Sequence, residues 1–474
     1  MMRPSKVRVV IAQMGLCVSL CLGVVRAEVL TVEPIHFQSI DYQREKWVEA
    51  NMSLSNDTLP LAEYQLSSVE AQITKFIRSK QWDALIAVLY QYAQHPNKDI
   101  ALYYYALGAL QRAEGLQSQA IHTYQVLTKY RSDLIYSQYD LALMLMEDYQ
   151  YQEAKKLLTV LIKRSDEALS ERVYARLRHI EKQQSWQPFF DIQYVKTDNV
   201  NNAATSPVIV INGKTFVRDE ESRPKSAHGV SYTIGATRRY QIIGHHHFYT
   251  SLGANGTYYW DAKDYREESL QTVLGYVYKN IKQEWRVLPF WDHNRLGGHA
   301  YSRYYGVRMG WFQKLGPKWW VSGSYQYRKT AYFDEVIADR YNARQHWILM
   351  NQRWLINPYW MLSAGVDYTR EYAFDPSLSS RKKGVSAGVY YEKDWGAHLS
   401  AYYGWRHFDR EHVIFDLKRK DKERHVSVSL WHKSAKWKGI QPTINYTYRR
   451  IKSNLSDLYD RSESTVLISF SKTF

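Results

Sequence analysis

Cysteine is nearly missing from this chain. Its only two, Cys17 and Cys21, fall in an apolar stretch from Val9 to Val25, behind the cations Arg3, Lys6 and Arg8. A cationic start, a short apolar run, and small residues at Val25 and Ala27, three and one positions before Glu28, predict a cleaved signal peptide over 1–27. The run is short for a membrane span of ~20 residues, which argues against a retained anchor helix. Neither cysteine follows the small residue that a lipid-anchoring cleavage site requires. The mature chain from Glu28 therefore carries no thiol, which excludes disulfides, thiolate metal sites and a cysteine nucleophile.

Long apolar runs are missing too: after Glu28 none approaches the length of a membrane helix. Strands that alternate lipid-facing and lumen-facing residues would escape that test, because their average is hydrophilic. What the chain has in excess is aromatic, with 40 Tyr and 16 Trp, the amphipathic rings that membrane interfaces collect. Charge is uneven. From Glu28 to Trp186 there are 17 Lys and Arg against 20 Asp and Glu; from Gln187 to Phe474 there are 42 against 27. A basic second half suits either anionic lipopolysaccharide on a rim or acidic cargo in a lumen, or is simply solvated. The cations are spread over strands without a recognition motif, so no nucleic-acid partner is expected.

Between Leu61 and Lys182 the only proline is Pro96, and apolar residues recur at three- and four-residue steps, a helical pattern. It repeats. Leu107, Gly108, Ala120 and Tyr124 are matched 34 residues later by Leu141, Ala142, Ala154 and Leu158, the period of tetratricopeptide (TPR) hairpins. The small residues let paired helices approach, and Tyr124 and Leu158 fill the space between hairpins. A less regular unit with Trp82, Ala84 and Val88 precedes these, and Glu167 to Gln184 reads as a closing cap. The usual proline at the repeat end is replaced by Ser132. The expected domains are an extension over 28–60 and a TPR-like domain over 61–186. In the TPR phase Tyr105, Arg112, Tyr136 and Tyr139 would line a concave groove suited to an extended polypeptide; packing between repeats is the competing role.

Beyond Pro188 the period becomes two. Fourteen strands are predicted, beginning near Phe189, His228, His246, Glu268, Glu284, Arg303, Trp319, Asn342, Tyr359, Arg381, Ala397, Glu423, Gly439 and Ser464. Trp360, Leu362, Ala364, Val366 and Tyr368 form one outward set; Ile440, Pro442, Ile444, Tyr446 and Tyr448 form another. Long polar connections, the first from Asn199 to Ala227, interleave with tight ones, the alternation of a transmembrane barrel over 187–474 with both ends in the periplasm. Val466, Ile468, Phe470 and the terminal Phe474 make an alternating apolar face ending on an aromatic residue, the pattern read by the barrel assembly machinery. The fold class is thus α + β membrane protein: N-terminal TPR-like repeats followed by a 14-stranded antiparallel transmembrane β-barrel.

This order of leader, few TPR hairpins and fourteen-strand barrel resembles the surface lipoprotein assembly modulator (Slam) family, also described as the outer-membrane component of a type XI secretion system. The resemblance covers nearly all of the mature chain. Its most sequence-specific trace is the Asn-rich stretch Thr197, Asp198, Asn199, Val200, Asn201, Asn202, Ala203 at the end of the first strand. Within the family, the size and sequence look closest to host-association outer-membrane proteins of nematode-symbiotic bacteria. The resemblance implies delivery of a cargo lipoprotein or secreted protein to the cell surface, with the TPR domain contacting cargo or a periplasmic chaperone and the barrel as route. A polysaccharide exporter and a surface adhesin are the rival readings. No nucleophile constellation is recognisable, so no enzyme and no cofactor are expected. His245, His246 and His247 alternate faces on a strand and cannot converge on one metal ion; they read as a wet strand start.

Overall fold

The computed structural model describes residues 68–211 and 213–473. The signal peptide, the extension over 28–60 and the terminal Phe474 lie outside the described residues. Among the described residues seven helices come first: α1 (Ser68–Ser79), α2 (Trp82–Ala93), α3 (Ile100–Ala113), α4 (Gln117–Tyr130), α5 (Ile135–Glu147), α6 (Tyr151–Ile162) and α7 (Glu167–Gln184). They pack as three hairpins with α7 laid on α6. Asp99 starts α3 by accepting from the Ala101 and Leu102 amides, and Asp166 starts α7 by accepting from Leu169, the capping that free helix-end amides require.

The 34-residue period has a clear packing basis. Ala120, Ala142 and Ala154 are fully buried, as are Leu158 and, to 3% exposure, Tyr124. At Gly108 a Cβ would lie 2.4 Å from the Tyr124 ring, so the helices α3 and α4 meet at a contact only glycine permits. The turns of the three hairpins also correspond. Lys80, Gly115 and Tyr149 all have positive φ, at 54°, 74° and 62°. Only the middle one is a glycine, the residue that adopts this conformation without a Cβ penalty. Leu169, Val173 and Ile180 of α7 complete the core.

The chain then enters a closed barrel of fourteen antiparallel strands. They are β1 (Gln187–Thr197), β4 (Ala227–Ile243), β5 (His246–Tyr259), β6 (Glu267–Lys279), β7 (Gln283–Leu296), β8 (His299–Lys314) and β9 (Trp319–Tyr332), followed by β10 (Ala343–Asn357), β11 (Trp360–Ala373), β12 (Ser380–Glu392), β13 (Trp395–Glu411), β14 (Lys418–His432), β15 (Gln441–Ser453) and β16 (Arg461–Thr473). β1 pairs with both β4 and β16, so no strand edge is left open. A two-stranded hairpin not foreseen from the sequence, β2 (Val208–Ile211) with β3 (Lys214–Val217), stands inside the first long connection.

Two rims result. The near rim carries the helical domain and mostly short turns; the far rim carries the longer connections. The alternation is not strict, because β7 and β8 meet at the far rim through Gly297 and Gly298 alone, both at positive φ. The outward sets are as the alternation predicts: Val366 is 56% exposed, Ile444 56%, Val466 37% and Phe470 44%, a surface that only an apolar solvent tolerates. The inner wall is polar and several of its buried charges are paired. Glu284 meets Lys279 at 3.0 Å, and Glu423 lies 3.5 Å from Arg406 and 3.7 Å from Lys382. Arg419 holds Asp421 at 2.6 Å. These carboxylates are nearly inaccessible, so their pairing offsets a large desolvation cost.

Candidate functional site

Three places are candidates for function in this arrangement: the helical groove, the seat of the helical domain on the near rim, and the Asn-rich stretch at the far rim.

The four groove candidates have different fates. Tyr136 is 39% exposed on α5, whereas Tyr139 is 6% exposed and belongs to the α4–α7 core, where the Arg176 guanidinium reaches its hydroxyl at 3.5 Å. Tyr139 thus takes the packing role. Arg112 is clamped in a bidentate pair by Glu147, which also accepts from Gln117 at 3.0 Å. Tyr105 packs against Tyr124 with ring centroids 5.7 Å apart. Burial and the neighbouring Asp140 carboxylate push the Tyr105 hydroxyl up from the ordinary tyrosine range. What remains accessible is Tyr136, with a half-buried polar group of Tyr105, Arg112, Asp140 and Glu147 behind it.

Asp140 lies at the centre of that group, and burial lifts its carboxyl to about 6, while the Arg112 charge pulls the other way. An acid raised in the folded state holds a proton that the unfolded chain has released, so stability falls as pH rises from about 4 to about 6. The loss is complete above that range. Asp140→Asn should therefore raise the melting temperature of the helical domain at pH 8, by up to ~3 kcal/mol of stability, and the gain should vanish below pH 4. Circular-dichroism melts of the two proteins across that range read this out; a gain independent of pH would show that Asp140 is not protonated in the way described.

The seat is built on the turn between α5 and α6, the one with Tyr149 at its tip. Asp148 accepts from the Ile281 amide at 3.1 Å and meets His245 Nε2 at 2.7 Å. Glu153 accepts from Gln241 Nε2 at 2.7 Å and from the Gly244 amide at 3.0 Å, while the Gln152 amide donates to Gln241 Oε1 at 2.5 Å. The Tyr149 carbonyl lies 3.2 Å from His247 Nε2, and its ring sits under the Lys279 ammonium at 4.4 Å. Arg238 donates to the carbonyl of Gln184 at the end of α7. Gln241 and His247 are fully buried. This corrects the reading of the histidines as a wet strand start: His245 and His247 face the helical domain, and only His246 points outward, to the Tyr276 hydroxyl at 2.6 Å. Among the described residues no group of three or more His, Cys, Asp or Glu could hold a metal. The sequence carried no other signal of this seat, since Asp148, Glu153 and Gln241 look like ordinary residues of a turn, a first helical turn and a strand end.

At the far rim the Asn-rich stretch folds inward. The Asn199 side chain donates to the carbonyls of Ala203 and Ser462 at 2.9 and 3.0 Å and accepts from the Ala203 amide; Asn201 bridges Arg223 and Lys225. Asp198 accepts from the Ser464 amide at 2.8 Å, and Asn202 takes positive φ, 50°. Val200 and Ala203 are wholly buried, Val200 packing with Val195, Ala227 and Tyr259. The stretch thus ties the first strand to the last and turns the start of the first connection inward. That connection is held to the final loop as well: Thr205 donates to the Asp460 carbonyl at 2.7 Å, and Arg218 to that of Asp457 at 2.6 Å.

Residues 186–474 match the family described as surface lipoprotein assembly modifier, and residues 56–158 match the N-terminal TPR repeats of the same family. A surface lipoprotein assembly modifier of Pasteurella multocida is 25% identical, covering 92% of this chain and 90% of the relative. Surface lipoprotein assembly modifier 1 of Haemophilus influenzae is 25% identical over 83% of this chain and 82% of its own. A hemophilin secretion modulator of Acinetobacter baumannii is 24% identical over 82% of each.

Proposed function

Because the chain belongs to the surface lipoprotein assembly modifier family, we propose that it carries a specific lipoprotein or soluble protein from the periplasm to the cell surface. The helical domain faces the periplasm and selects the cargo, alone or with a chaperone. The far rim lies at the surface, and the barrel is the route. The observation that carries this reading is the seat: a repeat domain of polypeptide-binding type is fixed by paired side chains at the mouth of a closed barrel, so captured cargo is held where the route begins. The C-terminal face of Val466, Ile468, Phe470 and Phe474 serves insertion by the barrel assembly machinery. The polysaccharide reading is less well supported, since the chain belongs to the lipoprotein family and the inner-wall cations named above are matched by carboxylates.

Selection by the groove is tested by replacing Tyr136, its exposed aromatic residue, with Ala. An aromatic anchor at an interface contributes ~2 kcal/mol, so cargo should accumulate in the periplasm while barrel levels in the outer membrane stay normal. Unchanged protease sensitivity of the cargo on intact cells would remove the groove from the account and leave the barrel's role standing.

A further inference from the structure

The outer wall of β12–β15 holds cations that the protein itself does not neutralise. Lys383, Trp405, Lys422 and Lys452 stand in one ladder row, each directly opposite the next across adjacent strands. The next row toward the near rim contains Val385, Tyr403, Arg424 and Arg450. All five cations are exposed, and they share a face with Val385, Leu399, Val426, Ile444 and Tyr446, exposed by 39–56%. They therefore project outward from the barrel, not into it.

Lys422 opposite Lys452, and Arg424 opposite Arg450, are like charges with Cβ atoms about 5 Å apart, an arrangement that destabilises a sheet. Lys329 opposite Arg344 on β9 and β10 repeats this arrangement, whereas opposed cations next to the patch share a carboxylate. On the inner wall of the same strands Lys382 and Arg406 share Glu423, and Arg419 holds Asp421. On the outer wall beside this patch, Asp409 takes Arg370 and Arg381. The five cations of the patch have no carboxylate partner among the described residues; Arg424 rests over the Tyr403 ring at 5.6 Å.

The level of the patch identifies what supplies the missing charge. Trp405, 40% exposed, lies in the same row as the lysines, and exposed tryptophan marks the headgroup region of a bilayer. The rows toward the near rim are apolar: Ala387, Ala401, Val426 and Tyr448, then Val389, Leu399, Val428 and Tyr446. A ligand here meets cations at headgroup depth and an apolar wall directly below. We propose that this face binds the phosphate groups of a phosphorylated acyl glycolipid of the lipid A class in the outer leaflet, its acyl chains lying along the apolar rows. This rests on the far rim being the cell-surface rim, and not on what the barrel transports.

Lys422→Glu with Arg424→Glu separates ligand binding from folding, because the two effects have opposite signs. Each new carboxylate stands opposite a cation, Lys452 or Arg450, turning two repulsive cross-strand pairs into attractive ones. In lipid-free zwitterionic detergent the full-length variant should resist heat at least as well as the wild type. Its retention of diphosphoryl lipid A, measured by native mass spectrometry with divalent cations chelated, should fall ten-fold or more. Dephosphorylated lipid A should bind the wild type no better than it binds the variant, and millimolar inorganic phosphate should fail to displace the diphosphoryl form. The proposal is overturned if the folded variant keeps lipid A within two-fold of the wild type, or if free phosphate competes as well as lipid A does. Orientation is read separately, by labelling a cysteine placed at Ser456 on intact cells, so failure of the topology is distinguishable from failure of the site.

Discussion

Cutting the helical domain loose from the near rim should lower cargo export at least ten-fold while leaving both halves folded. The variant is Asp148→Ala with Glu153→Ala, which removes the acceptors for the Ile281 and Gly244 amides and for Gln241, and the partner of His245. Gln241 is fully buried, and a buried donor left without an acceptor costs ~1–3 kcal/mol. One such penalty shifts a docked equilibrium about ten-fold, and here several act together. The apolar core of the helices and the clusters on the barrel wall are separate, so neither depends on the seat for its fold. Protease cleavage at the joint around Ser185 should rise ten-fold or more, the barrel should stay heat-modifiable, and cargo should remain periplasmic. Normal export with a cleavable joint would show that the seat is a resting contact without a role in delivery.

The second large effect concerns the far rim. If cargo leaves through the lumen past this connection, the connection must move, because its start packs inward against Val195 and Tyr259 and it is tied to the neighbouring last strand and last loop. Thr205→Cys with Asp460→Cys fixes it there. The hydrogen bond of 2.7 Å between their main chains brings the two positions near the Cα separation of about 4.4–6.8 Å that a disulfide spans. Downstream of Glu28 the sequence offers no other thiol to compete. Oxidised cells should export no more than cells without the barrel, and a reductant should restore export within the lifetime of the same protein. Full export through the locked form would place the path beside the barrel, along its lipid-facing wall.

The architecture was legible because both halves repeat. Period 34 with small residues at Gly108, Ala120, Ala142 and Ala154 can be met only by close helix pairs, and period two over fourteen segments, closing on an apolar face at Val466 and Phe470, can be met only by a barrel. The strand starts expected from alternation fall within five residues of those observed. The functional places were less visible, for a physical reason. Exposure depends on which neighbour covers a side chain, and periodicity within one helix does not report that neighbour. Tyr136 and Tyr139 look alike in sequence, yet α7 buries one and not the other. His247 looked wet because the surface that covers it comes from Tyr149, 98 positions earlier. The Asn-rich stretch was visible as a motif, but its work of joining β1 to β16 rests on partners more than 260 residues away.

The central claim, delivery of a protein to the cell surface, is tested most directly on intact cells. Surface lipoproteins and secreted proteins should be compared by protease shaving and mass spectrometry in the wild type, in a deletion of this gene, and in the deletion complemented with the full chain. One or a few proteins should lose surface exposure at least ten-fold in the deletion, keep their total cellular level, and regain exposure on complementation. An unchanged set of surface-exposed proteins in the deletion would contradict the account.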